Sequence, residues 1–185
     1  MHGHRPISGG HFNPAVTLGI WLRGKCETKD VAPYMIFQVM GAVLAALVVK
    51  FLKGGGAVVP LQPETIPALL AEFLFTFALV YVVLNVATAK STLGNSFYGL
   101  AIGFTVLVGA FSVGNISGGA FNPAVAAGIS VLGLSSWANI WIYLVADFAG
   151  AAVAAGAFKA LNRAEREDVR RLQSRDQPRE KREVA

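Results

Sequence analysis

A chain of 185 residues with 54% hydrophobic and only 15% charged positions is too apolar for water, where domains carry roughly 25% charged residues. Its mean hydropathy of +0.53 excludes disorder over most of the length, and a single cysteine, Cys26, excludes an internal disulfide or a cysteine-rich metal site. The formal charge of +5 does not point to nucleic acid, because residues 161–185 hold eight of the sixteen Lys and Arg and six of the eleven acids. What remains is a long apolar body with a charged tail, the composition of a membrane protein.

The first element in chain order is short. Ser8-Gly9-Gly10-His11-Phe12 is followed by Asn13-Pro14, which starts a helix, since Asn caps helix N-termini well and Pro favours the first helical position. That helix is expected to run to about Leu22, with Gly24 stopping it. Residues 31–52 are the first stretch able to cross a bilayer core, which is about 30 Å thick and needs roughly 20 mostly apolar residues. Lys50, Lys53 and Gly54-Gly55-Gly56 close it, and the glycines read as an extracellular linker. Residues 67–89 and 96–114 are the second and third spans, separated by Lys90, Ser91 and Gly94. Asn122-Pro123 opens another short helix, expected to reach about Val131 before Gly133. Residues 137–161 form the fourth span, and the Arg-rich run over 162–185 reads as a solvated cytoplasmic tail.

The two short segments are copies of each other. Ser8 to Val16 recurs as Ser117 to Val125, with eight of nine residues matching at an offset of 109. The offset persists through Gly19 and Gly128, Gly24 and Gly133, Tyr34 and Tyr143, Gly41 and Gly150, and Ala42 and Ala151. Chance does not hold register over such a length. The chain is therefore a doubled unit, with a first repeat over 1–52 and a second over 67–161. The second repeat has two spans ahead of its motif and the first has only residues 1–7, so two spans are expected to be missing from the first. A complete unit has three spans, an odd number, and a tandem copy then enters the membrane inverted.

Each motif helix is about 13 Å long at 1.5 Å per residue, less than half the bilayer core. Neither spans. Non-helical backbone at that depth is tolerated only where it is buried in protein or lines a water-filled cavity. In an inverted repeat the two half-helices meet N-terminus to N-terminus, their positive dipole ends and Asn amides turned to one opening. A cation or proton there meets positive potential, whereas a neutral solute accepts hydrogen bonds from the amides.

The doubled Ser-Gly-Gly-x-Phe-Asn-Pro-Ala-Val resembles the paired Asn-Pro-Ala signatures of the aquaporin, or major intrinsic protein, family over about residues 7–161. The resemblance implies an all-α membrane protein, an aquaporin-like inverted repeat with two re-entrant half-helices and four of the usual six transmembrane helices. These make one channel domain over 1–161, with 162–185 as the tail. Asn13, Pro14, Ala15, Asn122, Pro123 and Ala124 are implied as the pore motifs, and Gly9, Gly10, His11 and Gly118 as pore-loop backbone. Glu72 matches the buried glutamate that braces the second pore loop, and Gln38 a polar position assigned to packing between helices. His11 is implied to turn its carbonyl, not its ring, toward solute.

Departures from the family pattern bear on selectivity. Ala110 stands at the ring position usually held by His, Gly119 at the small loop position, and Val125 where an Arg normally follows the second motif. That ring is expected to be wide and apolar and to lack a fixed positive charge. Ala126, Ala127 and Tyr143 resemble the water-channel class, whereas Leu144 follows the glycerol pattern. Asp147 stands where many members have Pro, and reads as a polar contact between spans.

The resemblance implies a passive channel for water or small neutral solutes such as glycerol and urea, excluding protons and cations. It implies a homotetramer crossing the plasma or inner membrane several times, with no cofactor, metal or nucleic acid. The alternative is a non-conducting, truncated remnant acting only as a structural membrane protein. A secondary transporter fits less well, because Glu72 and Asp147 are the ionisable residues available inside the spans for ion coupling. No Ser/His/Asp set, carboxylate pair or phosphate loop suggests an enzyme. The plan places residues 23–30 and Lys90 on the cytoplasmic side and 50–66 and 115–122 outside, in agreement with a modest excess of short-loop cations inside.

Overall fold

Asn13 and Asn122 each end an extended segment and begin a helix. Asn13 has φ −148° and ψ 119°, and Asn122 has φ −163° and ψ 112°. The Asn13 side chain accepts from the N–H groups of Ala15 at 2.8 Å and Val16 at 3.3 Å, and the Asn122 side chain from that of Ala124 at 2.9 Å. Behind these caps lie α1 (Pro14–Leu22) and α5 (Pro123–Val131), nine residues each, with Pro at the start of both. They end alike. Gly24 and Gly133 take positive φ, 81° and 78°, while Lys25 donates to the Ile20 carbonyl at 3.0 Å and Leu134 to the Ile129 carbonyl at 2.9 Å.

The computed structural model describes residues 9–162; Ser8 and the tail expected over 162–185, apart from Asn162, lie outside the described residues. Within them four helices are long and apolar enough to cross a membrane. These are α2 (Thr28–Leu52), α3 (Thr65–Val83, continued by a π-helical turn over Leu84–Thr88), α4 (Tyr98–Ser117) and α6 (Ile140–Leu161). The boundaries differ from the sequence reading by up to three residues, and two of the shifts have a plain cause. The helix of α2 begins three residues before 31, taking Lys29 and Asp30 into its first turn, where charged side chains still reach the interface. That of α4 passes the polar Asn115 to Ser117, and stops where Gly118 adopts φ 95° and donates to the Gly114 carbonyl at 2.9 Å.

The repeats are interlocked by exchange. The half-helix α1 of the first repeat packs on α6 of the second, and α5 of the second packs on α2 of the first. Glycines make both crossings close. A Cβ on Gly128 would lie 3.3 Å from the Ala42 carbonyl oxygen, and one on Gly19, its counterpart, 3.9 Å from that of Ala151 and 2.4 Å from Val80 Cγ1. The tightest approach to backbone atoms joins α3 to α6, where a Cβ on Gly150 would sit 2.6 Å from the Phe73 carbonyl oxygen. The core gathers Ala15 and Ile20 of α1, Leu79, Val80 and Val83 of α3, Ala151, Ala154 and Phe158 of α6, and Phe121. Phe37 and Leu44 of α2 and Leu100, Phe104 and Phe111 of α4 are exposed. Lipid tails are as apolar as these side chains, so leaving them outside costs little.

Candidate functional site

An Asn amide offers one carbonyl oxygen and two N–H donors. Asn13 and Asn122 use the oxygen to cap their own helices and an N–H to reach across the molecule. Asn13 Nδ2 donates to the Phe121 carbonyl at 2.8 Å, and Asn122 Nδ2 to the Phe12 carbonyl at 3.1 Å. The N-termini of α1 and α5 are thereby held against each other, each Asn bonded to the residue preceding the other. Each amide retains a second N–H. Both residues border a cavity of about 290 Å³, shared with Gly9, Gly10, His11 and Phe12 and otherwise walled by Val16, Ile20, Leu79, Val83, Ala87, Tyr98, Ile102 and Val106. Polar groups thus sit along one side of a lumen whose remaining walls are mostly apolar.

The first loop is held by α2. The N–H of Gly9 donates to the Tyr34 hydroxyl at 2.6 Å, and the His11 ring stacks on the Tyr34 ring at 4.7 Å between centroids. Gln38 Nε2 donates to the His11 carbonyl and to Thr17 Oγ1, both at 2.9 Å. Gln38 therefore joins α2 to α1 and also fixes the loop carbonyl. Gly10 has φ 70°, a conformation that suits glycine.

The second loop is held mainly by α3. Glu72 Oε1 accepts from Ser117 Oγ at 2.6 Å and from the Ala120 N–H at 3.0 Å, and Oε2 accepts from the Phe121 N–H at 2.6 Å. From α6, the Tyr143 hydroxyl donates to the Ser117 carbonyl at 2.6 Å. The backbone is forced: Gly118 and Gly119 have φ 95° and 62°, and Phe121, with a bulky side chain, has φ 47°. A non-glycine residue held there costs on the order of 1–3 kcal/mol and persists only when its surroundings over-determine it. Here the Glu72 bonds do so, together with the Phe121 ring, packed 5.3 Å from Phe75 and against Gly109, where a Cβ would approach within 2.5 Å.

Of the three positions expected to form the ring, Ala110 lies on α4, Gly119 in this loop and Val125 in the first turn of α5. Gly119 abuts Ala110, a Cβ on it falling 3.4 Å from the Ala110 Cα, while Ala110 and Val125 are exposed. Pro14, Ala15, Pro123 and Ala124 are buried where the half-helices begin.

Other residues of the site were not legible in advance. Phe121 and Gly109 form a ring-and-notch pair that no local pattern announces. Tyr34 and Tyr143, by contrast, keep the 109 offset and both turn hydroxyls onto the loops, so the repeat itself carried that signal. Asp147 is fully buried and accepts from Thr76 Oγ1 at 2.9 Å, a contact between α6 and α3. Arg23, counted among the loop cations in the sequence, is buried, its guanidinium 4.9 Å above the Phe158 ring at the C-terminal end of α1.

Comparison with known proteins gives a consistent picture. A family model described as Major intrinsic protein matches residues 1–158. Aquaporin NIP1-4 of Oryza sativa subsp. japonica is 35% identical over 165 residues, covering 86% of this chain and 58% of the relative. Aquaporin TIP1-2 of Zea mays is 37% identical over 155 residues, covering 80% and 60%. The chain thus spans little more than half the length of these relatives. Among solved structures, the aquaglyceroporin from Plasmodium falciparum superposes with a TM-score of 0.69 at 23% identity, over 82% of this chain and 72% of the other, a likeness of fold.

Proposed function

The chain belongs to the major intrinsic protein family, a multi-pass membrane protein, and from that premise we propose that it forms a passive pore for water and small neutral solutes. The observation that carries the reading is the reciprocal bonding of Asn13 and Asn122 across the junction of the half-helices. With one N–H of each amide committed to the opposite loop, the other is free in direction to donate to a passing oxygen. Two helix N-termini pointing at that spot add positive potential, which opposes cations and protons but not neutral solutes. The apolar walls offer water no competing bonds, so a solute exchanges its hydration only along the polar side.

The ring reading extends to size. With Ala110, Gly119 and Val125 in place of larger or charged groups, the constriction admits glycerol- and urea-sized solutes as well as water. The functional unit is a homotetramer in the plasma or inner membrane, with Gly9, Gly10, His11 and Gly118 supplying pore-loop backbone. The test is stopped-flow swelling of liposomes carrying the whole protein, with water, glycerol and urea gradients and a proton-leak control. Flux of water and at least one neutral solute without proton leak is expected. Traces matching empty liposomes would instead favour the structural, non-conducting reading.

A further inference from the structure

Lys50 and Lys53 stand exposed at the C-terminal end of α2, where that span ends. Among the described residues neither ammonium has an ion pair or a hydrogen bond. The helix end does not consume them either. The N–H groups of Lys53, Gly54 and Gly55 donate to the carbonyls of Val49, Phe51 and Lys50 at 3.0, 3.1 and 3.2 Å, so the last turn is closed by its own backbone. The helix dipole favours cations there, but at an exposed end that effect is screened.

The two lysines border a cavity of about 170 Å³. Its other side chains are apolar: Val49 of α2, Val58 of the 53–64 loop, and Leu132 and Leu134 just past α5. The loop is fastened over the end of α5, because the Leu61 N–H donates to the Leu134 carbonyl at 2.9 Å. Gly55 and Gly56 make the remaining side, and a Cβ on either would meet nothing within 4 Å, so this side stays open. No carboxylate lines the cavity; Glu64, the acid of the loop, stands outside it at the start of α3. At ~30 Å³ for each water the space equals roughly six waters, the size of a small polar headgroup and not of an acyl chain.

We propose that this cavity holds the headgroup of an anionic phospholipid, with its phosphate between Lys50 and Lys53 and its glycerol against Val58 and Leu134. The acyl chains stay in the surrounding bilayer, which the cavity borders because it lies at the end of a span. Ammonium groups bind phosphate oxygens through charge-assisted hydrogen bonds, and two unpaired ones with no acid beside them select a net negative headgroup. A choline headgroup carries its own cation toward the lysines and gains less. The site is separate from the junction of Asn13 and Asn122, and the inference stands whether or not the protein conducts.

The test titrates the whole protein in mild detergent with phosphatidylglycerol or phosphatidylcholine of the same chains, and counts bound lipid by native mass spectrometry. Phosphatidylglycerol should bind at least about tenfold more tightly, each lysine contributing about fivefold. The double variant Lys50→Gln, Lys53→Gln should bring it down to the phosphatidylcholine value, whereas Lys159→Gln, in the last turn of α6, keeps the preference. Val58→Trp fills the cavity while leaving both charges, and should also abolish the preference. Equal binding of the two lipids by the wild type, or an undiminished preference in the double variant, overturns the site. A preference that survives Val58→Trp overturns it too, since the lysines would then attract lipid without a cavity. Inorganic phosphate at millimolar concentration should not displace the lipid; displacement would make this a site for free anions. A changed oligomer mass in Val58→Trp, with lipid binding intact, would assign the cavity to a second copy of the chain.

Discussion

Asn13 and Asn122 are bonded to each other's loops, at 2.8 Å to the Phe121 carbonyl and 3.1 Å to the Phe12 carbonyl. The junction of the two repeats is thus made by the same side chains that cap the half-helices. A change at either Asn is felt in both copies, because its oxygen serves one repeat and its nitrogen the other.

Asn13→Asp retains the cap, since Asp caps as well as Asn, but loses the donor to Phe121 and faces its carbonyl with a charge. Leaving a buried acceptor unpaired costs about 1–3 kcal/mol, and the carboxylate also inverts the potential at the opening. Water and solute swelling rates should drop about tenfold or more, with Asn122→Asp behaving alike, whereas Ser91→Ala on the exposed 3₁₀ turn Lys90–Thr92 leaves them unchanged. Equal flux in all three variants would show that the half-helices do not meet around the pathway.

Gly150 and Gly156 lie on the same helix and should respond oppositely to alanine. A Cβ at Gly150 meets the Phe73 carbonyl at 2.6 Å and the Phe77 nitrogen at 3.0 Å, both backbone atoms that cannot rotate away. Gly150→Ala must separate α3 from α6 and should destabilise by about 1–3 kcal/mol. Gly156 has nothing within 4 Å of that position, and its replacement by Ala should be neutral or stabilising by up to about 1 kcal/mol. Thermal unfolding in detergent, read by loss of the monodisperse peak, separates the two.

Val125→Arg tests the constriction. The site is exposed in the first turn of α5, so a guanidinium introduced there is not buried in the protein. An added cation should narrow the ring and lower the glycerol-to-water permeability ratio about tenfold, with urea following glycerol. An unchanged ratio would place Val125 outside the solute path.

Cys26 and Val59 report topology. Burial first, then the Asp30 and Glu27 carboxylates, push the Cys26 thiol above its ordinary range, and its Sγ also donates to the Glu27 carbonyl at 3.6 Å. A raised thiol is mostly protonated at neutral pH, so maleimide labelling should be slow and accelerate roughly tenfold per pH unit until the thiol titrates. In intact cells an impermeant maleimide should miss Cys26 and label Val59→Cys, at a position 91% exposed in the 53–64 loop. The reverse pattern would invert the assigned orientation.

The membrane class, the doubled unit and the lengths of both half-helices follow from one-dimensional information. Apolar run length, the 109 offset, and Asn-Pro starts with Gly stops are local or periodic signals, and a helix cap acts within a few residues of itself. The positions of Asn13, Asn122 and Glu72 were legible for the same reason, as motif residues in register or as a charge inside a span. What they bond to was not. The reach of Asn13 to Phe121, the three donors on Glu72, the notch at Gly109 and the bond of Thr76 to Asp147 join residues far apart in the chain. They exist because α1 packs on α6 and α5 on α2, an exchange set by glycine-sized gaps. Asp147 shows the limit most clearly: in sequence it is one acid in an apolar helix, and only the crossing of α6 over α3 gives it the Thr76 hydroxyl to accept from. Burial and long-range contact are properties of that crossing, and no local pattern encodes them.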